Sequence, residues 1–487
     1  MSKGTPSRKT RPVAVEVEGK PLAKGVARPV SLGDIESFRD AVEFLYGRVD
    51  LERMTPSAVV KDAYKLDRMR ALLEVMGNPH DNLRTVHIAG TKGKGSTCEM
   101  LTSCLDACGY SVGLYTSPHI VDVRERMRIG ARLISEADFV QLTVVTGQAA
   151  AKVVAAHGEA TFFELTTAMA FQYFLDQAVD IAVIEVGLGG LLDCTNVIRP
   201  EVSAITMIGL DHMQILGNTV EEIAAQKAGI FKAGVPALSV PQEAGVLKVL
   251  REKAAEIGAP LEVLGSDIDY QHRFEWGGGA GQQTLLSLTV GGVEYDHVEA
   301  PLKGEHQAHN TALALCIVAR LVEHGFACPM EQVLTGLEST KLAGRFELAW
   351  KSPRIYLDVA HNPDSIKALM KTIGAYLTYD SLVVVFGCAS DKDIESMLRH
   401  LASGADKVIF TRAQSGRAAD PEKLIERYRQ ISDDGACQVA ATVPEALDIA
   451  ARAAGRGDVI CATGSFHIVG ETRKRLDEVK AKRTVKK

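Results

Sequence analysis

Several familiar signatures are missing from this chain of 487 residues, and each absence excludes a class of protein. The nine cysteines include no C-x-x-C pair, which argues against a zinc site or a disulfide framework and favours reduced thiols. We find no apolar stretch that approaches the ~20 residues needed to span a bilayer, and the polar N-terminus has no hydrophobic signal segment. A cytoplasmic protein without a membrane partner is therefore expected.

Charge and catalytic motifs exclude further classes. The net charge is -6, so the charge balance gives no support to nucleic acid as the main partner. The serine-hydrolase pattern Gly-x-Ser-x-Gly and the zinc-protease pattern His-Glu-x-x-His do not occur. What remains is an ordinary globular composition, 46% hydrophobic and 24% charged, in a chain long enough for two to three domains.

Hydrophobic periodicity predicts an α/β protein with two sheet-bearing domains. Residues 1–33 are rich in Lys, Arg, Pro and Gly, which predicts a disordered or loosely attached extension. Residues 34–342 predict an α/β domain with a mostly parallel sheet and helices on both faces. Among its helices, those over about 135–156 and 219–232 are predicted to begin at the N-caps Ser135 and Thr219, and Glu222 completes a capping box with Thr219. Glycine clusters within 266–300 predict a small antiparallel insertion. A second, smaller Rossmann-like α/β domain is expected over 343–487.

The segment 87–97, with the sequence HIAGTKGKGST, is the strongest functional signal. A strand-like run precedes it and a helical pattern follows. Backbone N–H groups of such a turn point at phosphate oxygens, the helix N-terminus and Lys94 add positive charge, and a hydroxyl can reach Mg²⁺. The spacing differs from the common P-loop because Gly95 separates Lys94 from Ser96. We expect a nucleoside triphosphate to bind here, which makes 34–342 a P-loop ATPase-like, ATP-binding domain.

Polar residues after other predicted strands each have an ordinary interpretation beside the functional one. Glu185 ends a buried strand, where a carboxylate could hold Mg²⁺, cap a helix or pair with an arginine. His212 could be a metal ligand or a polar residue satisfied by a neighbour. Ser117 and the segment 358–363 could be polar turns, and Lys227, in an Ala-rich helix, is predicted to be a surface lysine.

Taken in order along 40–472, these motifs resemble folylpolyglutamate synthase and the bifunctional dihydrofolate synthase of the Mur ligase superfamily. The resemblance rests on GTKGKGST, TSPHI, EVGLGGLLDCTN, GLDHMQILGNT, QKAGIFK, HQAHN, GRFE, DVAHNPDS and ATGSFHIVGE. Three residues depart from the usual pattern: Lys92 stands where asparagine is usual, Leu191 where arginine is common, and Cys194 where alanine is common.

The resemblance implies an ATP-dependent amide ligase that adds L-glutamate to dihydropteroate and to reduced folates through an acyl phosphate. It implies catalytic roles for Lys94, His212 and Lys227. ATP contacts are implied for Gly90, Thr91, Lys92, Gly93, Lys94, Gly95, Ser96, Thr97, Asn310, Arg345, Asp358 and His361. Two Mg²⁺ ions are implied at Ser117, Glu185, His212 and Lys227, the lysine as a carbamate. Contacts to the pterin substrate are implied for Phe162, Phe163, Glu164, Leu192, Asp193, Cys194, Tyr64 and Asp67.

Other functions stay open at this point. The chain could elongate folates without converting dihydropteroate, or could act as another Mur-type ligase on a cell-wall nucleotide peptide. A non-catalytic ATP switch would use the same phosphate loop but no acyl acceptor. A monomer is expected, with closure of the two domains gating the reaction.

Overall fold

The computed structural model describes residues 30–50, 66–277, 281–432 and 435–485. The first part of the chain forms one large sheet with its helices. In chain order its elements are α1 (Phe38–Tyr46), α2 (Leu66–Val75), β1 (Thr85–Ala89), α3 (Lys94–Ala107), β2 (Val112–Tyr115), β3 (Met127–Ile129), β4 (Arg132–Leu133), α4 (Glu136–His157), α5 (Phe162–Asp176), β5 (Ile181–Glu185), β6 (Val202–Ile205), α6 (Met213–Leu216), α7 (Val220–Ala228), β7 (Ala237–Ser239), α8 (Ala244–Ile257) and β8 (Leu261–Val263).

The rest of the chain forms two further sheets. The smaller consists of β9 (Asp269–Gly277), β10 (Gly281–Val290) and β11 (Val293–Glu299), and α9 (Glu305–Glu323) and α10 (Met330–Ser339) follow it. The elements of the last sheet are β12 (Glu347–Lys351), β13 (Arg354–Leu357), α11 (Pro363–Tyr376), β14 (Leu382–Phe386), α12 (Ile394–Ala402), β15 (Lys407–Phe410), α13 (Pro421–Ile431), β16 (Ala436–Val439), α14 (Val443–Ala453), β17 (Val459–Thr463) and α15 (Phe466–Val485).

The large sheet has the strand order β4-β3-β2-β5-β1-β6-β7-β8. The six strands from β2 to β8 pair in parallel, and β3 and β4 add an antiparallel edge. Every residue of β1 and β5 is buried, as expected for parallel strands covered on both faces. The carboxyl ends of β1, β2, β5 and β6 therefore share one edge, where ligands of open α/β sheets bind.

Helices cover both faces of the large sheet, as predicted. On one face, α3, α9 and α10 pack together over a continuous apolar core, and α4 and α5 pack over the other. Two predicted helix starts are confirmed: the Ser135 side chain accepts from the Asp138 N–H, and Thr219 forms a capping box with Glu222. The antiparallel insertion is the three-stranded sheet β11-β10-β9.

The second sheet has the order β12-β13-β17-β14-β15-β16, with all neighbours parallel except β12 and β13. We did not predict the short strands β3, β4, β8, β12 and β16 or the helices α1, α2, α6, α8 and α15. The predicted helix 219–232 ends earlier, at Ala228, and Gly229 follows it.

The expectation that no apolar stretch approaches the length of a membrane span was wrong. By length and composition alone, α4 could span a bilayer, although it packs against α1, α2 and α5.

A buried ion pair joins α2 to the start of α5. The Nε of Arg68 lies 2.9 Å from both carboxylate oxygens of Glu164, and these side chains are only 7% and 4% exposed. Glu164 also accepts from the backbone N–H of Thr161, which closes a capping box. The pair therefore fixes the start of α5 against α2.

We predict that Glu164→Ala destabilises the fold by about 3–5 kcal/mol, because removing one member of a buried ion pair leaves the other charge in a poorly solvated place. Urea unfolding of the purified protein measures the change. The control is Glu43→Ala, which removes the partner of Arg39 in an exposed pair and should cost about 0–1 kcal/mol. Equal losses in the two variants would contradict a structural role for the buried pair.

Candidate active site

Two glycines let the phosphate loop, residues 90–97, pass very close to neighbouring side chains. Gly90 and Gly93 have φ of +150° and +95°. A Cβ on Gly90 would lie 1.8 Å from the Thr206 hydroxyl, and one on Gly93 would lie 2.3 Å from Oδ1 of Asn310. The Nδ2 of Asn310 donates to Gln307, one turn earlier on α9. The buried helix α9 therefore packs directly against the loop, and only glycine fits at these two positions.

The structure divides the loop into an anchored part and a part available to a ligand. The N–H groups of Thr91 and Lys92 both donate to the carbonyl of Met207, at 2.9 and 3.1 Å. Those two donors are used inside the protein, which corrects the expectation that they contact phosphate. From Lys94 onward the chain is helical, and the first N–H groups of a helix have no intrahelical partner. The start of α3 is therefore the part suited to an anion.

Three predicted residues meet where β2, β5 and α3 converge. The Nζ of Lys94 lies 3.9 Å from Oε1 of Glu185, whose Oε2 accepts the backbone N–H of Ser117 at 3.0 Å. Glu185 is only 4% exposed. A Cβ on Gly95 would lie 3.7 Å from the same carboxylate. The sheet edge thus places a carboxylate directly beside the first turn of the phosphate-loop helix.

Lys227 is buried, so its predicted position on the surface was wrong. It is 4% exposed, and its Nζ donates to the carbonyl of Gly90 at 2.8 Å. Burial, together with the positive charge of Lys94, lowers the pKa of Lys227 to about 7. The backbone of Gly190 packs tightly on this turn of α7, as shown by the 2.9 Å that would separate a Cβ at this position from the Lys227 carbonyl. A large fraction of the amine is therefore neutral near pH 7.

His212 lies at the rim of the same edge. It has a left-handed backbone with φ of +50° just before α6, and its side chain is 46% exposed. Its Nε2 is 3.8 Å from Oδ1 of Asp211, and the same oxygen is 3.8 Å from Nζ of Lys392 in the second sheet's domain. Burial alone would raise the pKa of Asp211, but the charges of His212 and Lys392 lower it to about 2. Sequence reasoning missed Lys392, which has no motif of its own.

The predicted residues of the second sheet's domain lie next to β12 and β13. Both carboxylate oxygens of Asp358 accept backbone N–H groups, from Phe346 at 2.8 Å and from Ala360 at 2.9 Å. Asp358 therefore fixes the loops around β13. His361 bonds the Val359 carbonyl through Nδ1 at 2.9 Å, and burial lowers its pKa to about 4, so the ring is neutral. The guanidinium of Arg345 lies 5.7 Å from the ring centre of Phe466.

Direct contacts join the loops of the first sheet to the domain of the second sheet. The Nζ of Lys92 lies 2.9 Å from Asp364, at the start of α11. This ammonium group, predicted to contact ATP, instead forms an ion pair between the two parts of the molecule. A Cβ on Gly470 would lie only 2.3 Å from the carbonyl of Ile120, so the backbones also approach closely.

Several residues predicted to contact a pterin are buried beneath the surface. Phe162 is fully buried and stacks on Tyr46, with ring centres 5.4 Å apart. Asp193 accepts from the Leu188 N–H at 2.8 Å, and the Cys194 thiol lies 3.1 Å from the Thr167 hydroxyl. Together with Glu164, these side chains stabilise the local structure, which corrects the expectation of direct contact.

Phe163 and Leu192 are better placed for a ligand. Phe163 is half-buried beside Gly187, where a Cβ would lie 2.4 Å from its ring. Leu192 is 47% exposed. Asp67 is 82% exposed and lies 3.5 Å from Arg70 on α2, so nothing in its surroundings indicates a binding site. Tyr64 lies outside the described residues.

Of the four predicted metal ligands, Glu185 is the single carboxylate. Within the described ranges, no group of three or more His, Cys, Asp or Glu side chains is arranged to hold a metal ion. Mg²⁺ in nucleotide sites commonly takes one or two carboxylates together with phosphate and water oxygens. The buried carboxylate of Glu185 beside the loop fits that pattern.

Comparison with known proteins identifies the family. The Mur ligase middle domain matches residues 88–318, and the Mur ligase glutamate ligase domain matches residues 344–466. The chain belongs to the Mur ligase family. It is similar over 90% of its length, at 33% identity, to the dihydrofolate synthase/folylpolyglutamate synthase of Bacillus subtilis, and this match covers 99% of the relative. The enzyme is thus an ATP-dependent ligase of the folylpolyglutamate synthase type.

Two further comparisons agree. The folylpolyglutamate synthase of Mycobacterium tuberculosis, solved with ADP, has a TM-score of 0.80 and 31% identity over 90% of this chain and 98% of its own. A probable bifunctional folylpolyglutamate synthase/dihydropteroate synthase of Haloferax volcanii is 36% identical over 90% of this chain, which spans only 50% of that longer relative. Relatives in Lacticaseibacillus casei and Arabidopsis thaliana carry the single name folylpolyglutamate synthase.

We predict that Lys94→Ala lowers ligation by roughly 10²–10³-fold at saturating ATP, because we expect this positive charge to lie beside the transferring phosphoryl group. Phosphate release coupled to product formation measures the rate. Lys248→Ala on the exposed face of α8 is the matched control and should retain the parent rate. Parent-like turnover in Lys94→Ala, with an unchanged unfolding midpoint, would contradict the assignment.

Proposed function

We propose that this ligase is bifunctional: it adds the first L-glutamate to dihydropteroate and further glutamates to reduced folates. The observation that carries the proposal is the meeting of Lys94, Glu185, Ser117 and Lys227 at one sheet edge, opposite the second domain. The half-buried ring of Phe163 and the exposed Leu192 supply nearby apolar surface for an aromatic substrate.

The chemistry follows from charge. A carboxylate is a poor acyl donor because its leaving group would be oxide, so transfer of the ATP γ-phosphoryl group first gives an acyl phosphate and ADP. The glutamate amine then attacks the acyl carbon, and collapse of the tetrahedral intermediate releases phosphate and leaves the amide. Both partners in the first step are anions, and Lys94 reduces their repulsion and stabilises the charge on the transferred group.

Glu185, Ser117, His212 and a carbamylated Lys227 are the residues that we propose for two Mg²⁺ ions. When bound, the ions would supply further positive charge to the phosphoryl oxygens. The neutral amine of Lys227 is the form that can add CO₂, and its lowered pKa makes that form abundant. The carbamate would replace a buried cation by an anion next to Gly90.

We further propose that 34–342 and 343–487 are the two moving domains, with the hinge in the connection between α10 and β12. The separate hydrophobic cores of the two parts support this division, and the ion pairs of Lys92 and Lys392 cross between them. The proposed setting is the cytoplasm, with a monomer acting on small molecules and no nucleic-acid or membrane partner. The net charge of -6 supports the absence of a polyanionic partner.

We predict that Lys227 carries a carbamate in the active enzyme. Protein prepared with ¹³C-labelled bicarbonate and Mg²⁺ should show a carbamate carbon resonance that is lost in Lys227→Ala. That variant should be inactive and partly recovered by acetate, which can supply a carboxylate. The control Lys232→Ala removes a partly buried lysine whose pKa is lowered to about 8, and this variant should keep the resonance. An active parent without the resonance would refute the carbamate.

The substrate assignment predicts products from two acceptors. The purified protein with ATP, Mg²⁺ and glutamate should yield dihydrofolate from dihydropteroate and elongated glutamates from a reduced folate, as read by mass spectrometry. Because the two reactive carboxylates lie at different distances from the pterin, Phe163→Ala should impair the two reactions unequally. Folate elongation without conversion of dihydropteroate would leave the monofunctional synthase. ATP hydrolysis that is independent of both acceptors would indicate the ATP switch.

A further inference from the structure

One helix of the second domain, α11, contacts the first domain from its first turn to its last residue. The first turn carries Asp364, which lies 2.9 Å from the Nζ of Lys92 in the phosphate loop. Further along, Lys371 forms an ion pair with Glu305 at the start of α9. The last residue, Tyr376, meets the insertion sheet β9–β11, where α11 packs against β10. The second domain is thus attached to the first at both ends of one helix.

Tyr376 contacts three side chains of the first domain. Its hydroxyl forms a hydrogen bond with the hydroxyl of the buried Thr284. Its ring meets that of Phe274 edge to face, with centres 6.4 Å apart, and the Nζ of Lys303 lies 5.6 Å from its ring centre. Thr284 on β10 is directly opposite Phe274 on β9. The tyrosine therefore packs on one cross-strand pair of the insertion sheet.

The side chain of Tyr376 lies outside the core of its own domain. Among the described residues, the apolar cluster that forms this core includes Ile373 and has Leu377 packed against it, but it does not include Tyr376. The tyrosine is half-buried, and its hydroxyl reaches a strand of the other domain. Truncating it should therefore disturb the contact between the domains more than the folding of either.

The contact at Tyr376 is better shielded from water than the two ion pairs of α11. Asp364, Lys371 and Glu305 are all exposed. Because water and salt screen such pairs, each of them holds the domains only weakly. The hydroxyl of Thr284, in contrast, is buried, so losing its bond to Tyr376 leaves a polar group in a poorly hydrated place. Tyr376 is therefore the stronger attachment of this helix.

We propose that Tyr376 is a positioning residue of the ligase. Its contact with the insertion sheet holds α11 in place, and with it the segment 358–364 that leads into the helix beside the phosphate loop. This proposal rests on the proposed function, in which the two domains close on the nucleotide. The 14 residues of α11 span roughly 20 Å, so Tyr376 is far from Asp364 and acts only through the helix.

The expected consequence of losing this contact is a weaker apparent affinity for nucleotide. If the nucleotide binds tightly only when the second domain is in place, its apparent dissociation constant rises as the fraction of such molecules falls. Saturating nucleotide restores the position of the domain, so the maximal rate recovers. A raised KM for ATP at nearly constant kcat separates this role from a role in folding or in the chemical step.

The test measures two quantities in the full-length protein with Mg²⁺. One is glutamate ligation to a reduced folate at varied ATP, and the other is the calorimetric dissociation constant of a non-hydrolysable ATP analogue. Tyr376→Ala should raise both KM for ATP and that dissociation constant by roughly 5–50-fold and leave kcat within about twofold of the parent. Tyr376→Phe, which keeps the ring and loses the hydroxyl, should lie between the parent and Tyr376→Ala.

The matched control is Tyr379→Ala. Tyr379 is also half-buried, but its ring packs against the core of the second domain. This variant should lower the unfolding midpoint and leave KM for ATP unchanged. Tyr376→Ala should show the reverse pattern, with a midpoint close to that of the parent.

The hydroxyl pair provides a second test. Thr284→Val, a change of nearly equal volume, should raise KM for ATP about as much as Tyr376→Phe does. The double variant should show no further rise, because both changes remove the same hydrogen bond.

Two results would overturn the proposal: nucleotide constants of Tyr376→Ala that equal those of the parent, or a loss confined to kcat. A raised KM in Tyr379→Ala would also overturn it, since general destabilisation would then explain the effect. A parent that binds the analogue but forms no amide would contradict the proposed function instead. The dissociation constants of the analogue would then still decide the role of Tyr376.

Discussion

The close contact between Gly93 and Asn310 is the constraint on which the site depends. The loop can lie against the buried amide only because position 93 has no Cβ. That contact sets the start of α3, and the start of α3 places Lys94 beside Glu185. Since α9 packs deep in the core against α3, the position of the loop is determined by the packing of the whole first domain. A rigid element on one side thus fixes the relative orientation of Lys94 and Glu185.

Burial gives the site its electrostatic character. Lys94 and Lys227 lie near each other in a poorly hydrated region, and this combination keeps part of Lys227 neutral. Glu185 is equally buried but lies beside a cation and accepts a backbone N–H, so a carboxylate is tolerated there. The arrangement therefore holds an amine of lowered pKa, that of Lys227, within 2.8 Å of the Gly90 carbonyl.

The sequence predicted those parts of the fold that depend on local pattern. Alternating strands and helices, the caps at Ser135 and Thr219 and the glycine-rich loop are each readable within a few residues. The short strands β8, β12 and β16 were missed because they contain few buried residues and gain their stability from pairing with a neighbour.

The errors in the site have a common physical cause. A motif shows which residues are near a ligand, but not which of them face it. Phe162 and Phe163 are adjacent, yet one lies in the core and the other is half-buried beside Gly187. Lys227 lies among alanines, which do not distinguish the buried face of a helix from the exposed one. The contact of Lys392 with Asp211 joins two domains and could not be predicted from either segment alone.

The ion pair of Lys92 and Asp364 has a thermodynamic consequence. One end of the pair belongs to the phosphate loop, and the other belongs to the first turn of α11 in the second domain. A nucleotide that favours the loop shape in which Lys92 reaches Asp364 also favours that position of the second domain. By reciprocity, that position of the second domain would then strengthen nucleotide binding by the same free energy. The ion pair would in that case link nucleotide binding to the relative position of two domains that each have their own core.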